Sequence, residues 1–160
     1  MHRTLNQVTV FDDALATLVA DLAATMYAAE GVGLAANQIG IDLAVFVFDC
    51  VDSDGQRYFG AVCNPRLSLP EGRDRRLEED EEGCLSLPGL AFPTPRALSV
   101  VATGQDRDGA PVRITGTGFL ARALQHETDH LDGRLYLDRL TGDTRRQALR
   151  ELRRVRPAVP

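Results

Sequence analysis

The segment His126-Glu127-Thr128-Asp129-His130 carries the strongest chemical signal in the chain. Apolar Phe119, Leu120, Ala123 and Leu124 before it and Gly133 after it predict a helix over 119–131. Four residues advance a helix slightly more than one turn, so imidazoles at this spacing stand on one face, within about 40° of each other. They suit one metal ion, with Glu127 beside the ion rather than on it, where a general base is needed. The same residues also suit an ordinary amphipathic helix with two surface histidines. A catalytic ion needs a third ligand. No His follows His130, His2 sits at the terminus, and Glu151, the only later Glu, lies in an Arg-rich segment. Cys84 is the better choice, at the polar-to-apolar junction Glu81-Glu82-Gly83-Cys84-Leu85-Ser86. Cys50 and Cys63 lie in strand-like runs and read as small buried apolar residues.

A second segment, Gly31-Val32-Gly33-Leu34-Ala35-Ala36-Asn37-Gln38, superficially matches a dinucleotide fingerprint. That fingerprint follows a strand and opens a helix, because the pyrophosphate sits on the helix N-terminus. Here the glycines follow a predicted helix and lead into a strand, so the nucleotide reading is rejected. Small residues let the backbone approach a ligand closely, and Gln38 offers an amide N–H.

The elements that must position these groups read as follows. A helix is predicted over 11–30, with Asp12 or Asp13 as N-cap, Leu15, Leu18, Leu22 and Met26 on one face, and Gly31 as C-cap. Strands are predicted over 43–49 and 58–64, and again over 98–106 and 111–117 around an Arg107-Asp108-Gly109 hairpin turn. The charged stretch 70–82 reads mostly as a solvated loop. Leu135-Tyr136-Leu137 suggests a short strand, and 143–155 a final helix. Elements are grouped rather than alternating, which favours α+β.

The chain has 160 residues and a net charge of −5, the size of one domain over 1–160. All 18 basic residues are Arg, which excludes Schiff-base or phosphate-loop chemistry that needs a Lys. No apolar run spans a membrane, and Met1-His2-Arg3-Thr4-Leu5 has no signal-peptide core. Three cysteines without C-x-x-C spacing point to a reducing cytoplasm. Residues 141–160 carry six Arg against Asp143 and Glu151. This basic segment is either a solvated helix packing Leu149, Leu152 and Val155, or a dock for ribosomal RNA.

Taken together, Gly31–Gln38, Glu82–Ser86 and Gln125–Leu131 resemble the peptide deformylase family, whose motifs G-x-G-x-A-A-x-Q, E-G-C-L-S and Q-H-E-x-D-H-L occur here in that order with every fixed position filled. The resemblance covers about 8–140. It implies an α+β fold with antiparallel sheets packed around the H-E-x-x-H helix, and a metallohydrolase that removes the formyl group from N-formylmethionyl nascent peptides, releasing formate. It implies Cys84, His126 and His130 as metal ligands and Glu127 as acid/base. Gln38 and the backbone N–H of Leu85 would stabilise the oxyanion, and Gly33 would bind the substrate backbone. Fe²⁺ would be the ion in the cell, with Zn²⁺, Ni²⁺ or Co²⁺ as substitutes. Neither a membrane nor DNA is implied as partner. Three protein ligands leave one tetrahedral position open, the catalytic arrangement.

Around the site, Asp129 would orient an imidazole or anchor the helix, Arg96 would pair with Glu82, and Arg122 would keep its head in water while its stem lines the side-chain pocket. The family carries a longer segment with an extra strand before its first helix, so a trimmed start that exposes a sheet edge is expected. Two alternatives share these residues: a secondary paralogue acting on other N-formyl compounds, and a non-catalytic, metal-stabilised binding module. Intact Glu127 and Gln38 argue against the latter.

Overall fold

The computed structural model describes residues 5–155; His2 lies outside them. Helix α1 spans Asp13–Ala28, with the Asp12 carboxylate accepting from Leu15 N at 3.1 Å as its cap. Its C-terminal reversal is made by Glu30, at φ 53°, and not by Gly31 as expected. Glu30 N donates to Tyr27 O and Gly31 N to Met26 O, the bonds that close a helix end.

A five-stranded antiparallel sheet runs in the order β1-β2-β3-β6-β7. Its strands are β1 (Gly33–Ala35), β2 (Val45–Val51), β3 (Arg57–Ser68), β6 (Ser99–Gln105) and β7 (Pro111–Thr117). β2 is apolar and buried over Val45–Phe48 because both faces are covered there. Val45 and Val47 pack towards Leu15, Leu22 and Met26 of α1. Phe46, Phe48 and Cys50 pack with Leu120, Ala121 and Leu124 of helix α2 (Gly118–Leu131). Each such burial contributes about 1.5–3 kcal/mol. Asn64, also at positive φ, joins the chain's lead-in to β3: its Oδ1 accepts from Val8 N at 2.8 Å and its Nδ2 donates to Val8 O at 2.9 Å.

The stretch 70–82 is not mainly a loop. After a 3-10 turn at Gly72–Asp74, β4 (Leu77–Gly83) pairs with β5 (Ala91–Ala97) in a separate two-stranded sheet. Glu82 is the one buried residue of β4, so ladder hydrogen bonds rather than an apolar pattern make it a strand. The suggested strand at 135–137 is instead a 3-10 turn over Tyr136–Arg139, closed by Leu135 N donating to Asp138 Oδ2 at 2.9 Å. Helix α3 (Gly142–Val155) packs through Ala148 and Leu152, while Val155 is exposed, against expectation. The fold is thus α+β, antiparallel sheets around α2.

Candidate active site

α2 is almost wholly buried and presents His126, Glu127 and His130 from one helix. His126 Nε2 lies 3.0 Å from His130 Nε2, which lies 3.3 Å from Cys84 Sγ. All three candidate ligand atoms fall within 4.8 Å of one another. Cys84 arrives from a different element, directly after β4, where Ser86 N donates to its sulfur at 3.4 Å.

The ring orientation of His126 is held from behind. Glu82 Oε1 lies 2.6 Å from His126 Nδ1. An ionised carboxylate only accepts, so Nδ1 donates to it, and the ring is fixed with Nε2 facing His130 Nε2. Burial alone would raise the Glu82 carboxyl, but hydrogen bonds from Arg96 and His126 outweigh it and hold it at about 2. Arg96 grips Glu82 through Nε at 3.0 Å and Nη2 at 2.6 Å, and reaches Asp129 Oδ2 through Nη1 at 2.6 Å. Asp129 also accepts from Nε and Nη2 of Arg139. The expected Arg96–Glu82 pair is present, and Asp129 anchors the helix to two guanidiniums rather than touching an imidazole. With burial opposing, Arg139 and Arg96 keep its carboxyl below the usual range.

Arg122 departs from expectation. Its head is not in water: the residue is buried, and the guanidinium donates to Glu82 Oε2, Thr94 O and Glu78 O. Asn37, Tyr136 and Arg139 escaped sequence reasoning. Asn37 Nδ2 donates to His130 O at 2.5 Å. Tyr136 stacks on the His126 ring with 6.4 Å between centroids and donates its hydroxyl to Leu90 O. None belongs to a spacing that signals a role.

Glu127 is fully buried, and burial, opposed by the charge of His126, pushes its carboxyl up to about 7. Its Oε2 and His130 Nδ1 have no protein partner among the described residues. Buried polar atoms of this kind call for a ligand or water. Gly33, on edge strand β1, lies against the Glu127 carboxyl; a Cβ there would stand 2.7 Å from Cδ and 2.8 Å from Cγ. Gln38 Oε1 accepts from Ala35 N at 2.8 Å, which aims Nε2 at Ser86 Oγ, 3.0 Å away, and towards Cys84 Sγ, 3.8 Å away. Leu85 is half-exposed beside them.

These groups open onto a cleft of about 620 Å³ lined by Gly33, Gln38, Leu85, Leu87, Phe119, Arg122 and Ala123, among others. Its size suits a small-molecule or peptide site. A thiolate and two imidazoles converging on one point form a donor set for zinc or ferrous iron and not for magnesium or calcium.

Comparison with known proteins agrees. The family model for polypeptide deformylase matches residues 1–146. The chain is 52% identical to peptide deformylase 1 of Streptomyces avermitilis, over 100% of this chain and 74% of that protein. A peptide deformylase structure from Legionella pneumophila superposes with a TM-score of 0.81 at 40% identity, covering 96% of this chain and 88% of the other. Another, from Synechococcus elongatus in complex with actinonin, gives 0.82 at 34% identity, covering 94% and 79%. The chain belongs to the peptide deformylase family, whose members are metal-dependent hydrolases acting on nascent polypeptides.

Proposed function

We propose that Cys84, His126 and His130 hold the one divalent ion with which this enzyme removes the formyl group of N-formylmethionyl peptides. The observation that carries this reading is the convergence of Sγ and two Nε2 atoms beside a buried carboxyl poised near neutrality. Such an ion supplies a Lewis acid and brings the pKa of bound water towards about 7. The donor set fits Fe²⁺ in the cell, with Zn²⁺, Ni²⁺ or Co²⁺ as substitutes.

The protein's own groups supply the rest. Glu127, held near 7 by burial, takes the proton of the attacking water and returns it to the departing amine. The Gln38 amide and the Leu85 backbone N–H donate to the oxygen that becomes an anion. Among the described residues, β1 is paired on one side only, with β2. An extended substrate adds to its other edge at Gly33, as peptides do at open sheet edges. Phe119, Ala123 and Leu87 offer apolar walls for the methionine side chain.

No helix among the described residues is long and apolar enough to cross a membrane. Three free cysteines fit a reducing cytoplasm. The exposed arginines 146, 150, 153 and 154 of α3 suit ribosomal RNA close to where substrates emerge. Purified without oxygen, the protein is expected to hold one ion per chain and to release formate from a formyl-Met peptide. Cys84→Ala should lose both properties, and a Cys84→Ala protein with full metal content would overturn the ligand set.

A further inference from the structure

The three proposed ligands come from two separately built parts of the molecule. His126 and His130 stand on α2, while Cys84 lies in the β4–β5 hairpin, directly after β4. That hairpin shares no ladder with the five-stranded sheet. Among the described residues no shared apolar cluster joins it to α2, although Tyr136 of the hairpin's cluster stacks on His126. The cluster that buries Leu87, Leu90 and Phe92 continues into Tyr136, Leu137, Leu140 and Ala148. The cluster around Leu120, Ala121, Leu124 and Leu131 of α2 takes its strand residues from the five-stranded sheet. Hairpin and helix therefore meet largely through polar bonds.

We propose that Arg122 is a positioning residue that docks the Cys84-bearing hairpin onto the His-bearing helix. Its Nη1 donates to Glu82 Oε2 and to Thr94 O, both at 2.9 Å, and its Nη2 to Glu78 O at 3.2 Å. One side chain thus reaches both strands of the hairpin from a point one helical turn before His126. Arg96 performs the converse span, from β5 to Asp129 of α2. Two further links span the same gap: the Gln125 amide gives to Ala97 O and takes from Ala97 N, and His126 Nδ1 donates to Glu82 Oε1.

The guanidinium matters because its fork serves three acceptors that sit in fixed directions. A Lys ammonium is a point charge and does not reproduce that pattern. Losing the fork removes a donor from the buried Glu82 carboxylate and another from the buried Thr94 O, and weaker pairing of buried acceptors loosens the surface that carries them. Cys84 would then sample positions away from the two imidazoles.

The proposal rests on the ligand set given above, and its test separates the two. Arg122→Met keeps an unbranched stem of similar length along the cleft and removes the fork. In the metal-free variant, amide hydrogen exchange should quicken across β4 and β5 while α1, β2 and β3 keep wild-type protection. Metal affinity, measured by competition with a chromophoric chelator, should fall about 10- to 100-fold, the usual cost of losing a group that supports metal ligands. Arg122→Lys should fall between wild type and Arg122→Met in both measurements. Wild-type exchange in the hairpin of Arg122→Met would overturn the proposal, and so would wild-type metal affinity. If Cys84→Ala binds metal as wild type does, the ligand set fails, and hairpin exchange in metal-free Arg122→Met still decides whether Arg122 docks the hairpin.

Discussion

Replacing Gly33 by Ala probes how tightly the acid/base group is packed. The added Cβ would meet the Glu127 carboxyl at 2.7 Å from Cδ and 2.8 Å from Cγ, whereas ordinary contact begins at 3.4 Å. Relief therefore requires the carboxyl to move by about 1 Å, and a displacement of that size typically costs about 100-fold in rate when the group must meet a reacting atom. Overpacking of a filled site adds a stability loss of about 1–3 kcal/mol. Formate release from a formyl-Met peptide should show kcat reduced about 100-fold. Metal content should be unchanged, because no proposed ligand is among the atoms the new Cβ would meet. Shortening the partner should confirm the cause: Gly33→Ala with Glu127→Asp should recover thermal stability without recovering kcat. Wild-type kcat in Gly33→Ala would refute the reasoning, since it would mean that the carboxyl need not stand where Gly33 lets it stand.

Three further outcomes follow from the same geometry. Gln38→Ala should lower kcat about 100- to 1,000-fold, or about 2.7–4 kcal/mol of barrier, with metal content retained; an unchanged kcat would remove Gln38 from the oxyanion role. At pH 8 iodoacetamide should label Cys84 alone in the metal-free protein and label nothing after metal is added, because burial pushes the Cys50 and Cys63 thiols up to about 12 and about 11; equal labelling with and without metal would exclude Cys84 as a ligand. Hydrogen bonds from Arg57 and Tyr27 depress the Asp49 carboxyl from 3.8 to about 2. A depressed folded-state value stabilises above the unfolded one and is lost as pH falls through the folded one. Wild type should therefore gain stability over Asp49→Asn between about pH 2 and pH 4 and hold that gain above, and a difference independent of pH would contradict the pairing.

Much of the site was legible because its chemistry is local. His126 and His130 share one helical face by spacing alone, with Glu127 one position on beside them, and Gly33 and Gln38 lie in one short run. The hairpin was not legible. Glu78–Glu82 reads as solvated charge, and Pro93 and Pro95 argue against a strand, yet β4 pairs with β5 along its length. Its buried Glu82 depends on guanidiniums from β5 and α2, partners that no local pattern reveals. Arg122 departs from expectation for the same reason. A single Arg on an apolar helix face suggests a head seeking water, whereas here the hairpin supplies three acceptors that replace it. The reversal falls at Glu30 although Gly31, the residue type that favours it, stands directly beside it.

The most direct test of the proposed mechanism is Glu127→Gln, assayed for metal content and formate release on the same preparation. The amide keeps the size of the carboxyl but cannot take a proton from water. The account predicts wild-type metal content with turnover reduced by at least about 100-fold. Wild-type turnover in a fully loaded Glu127→Gln enzyme would contradict it.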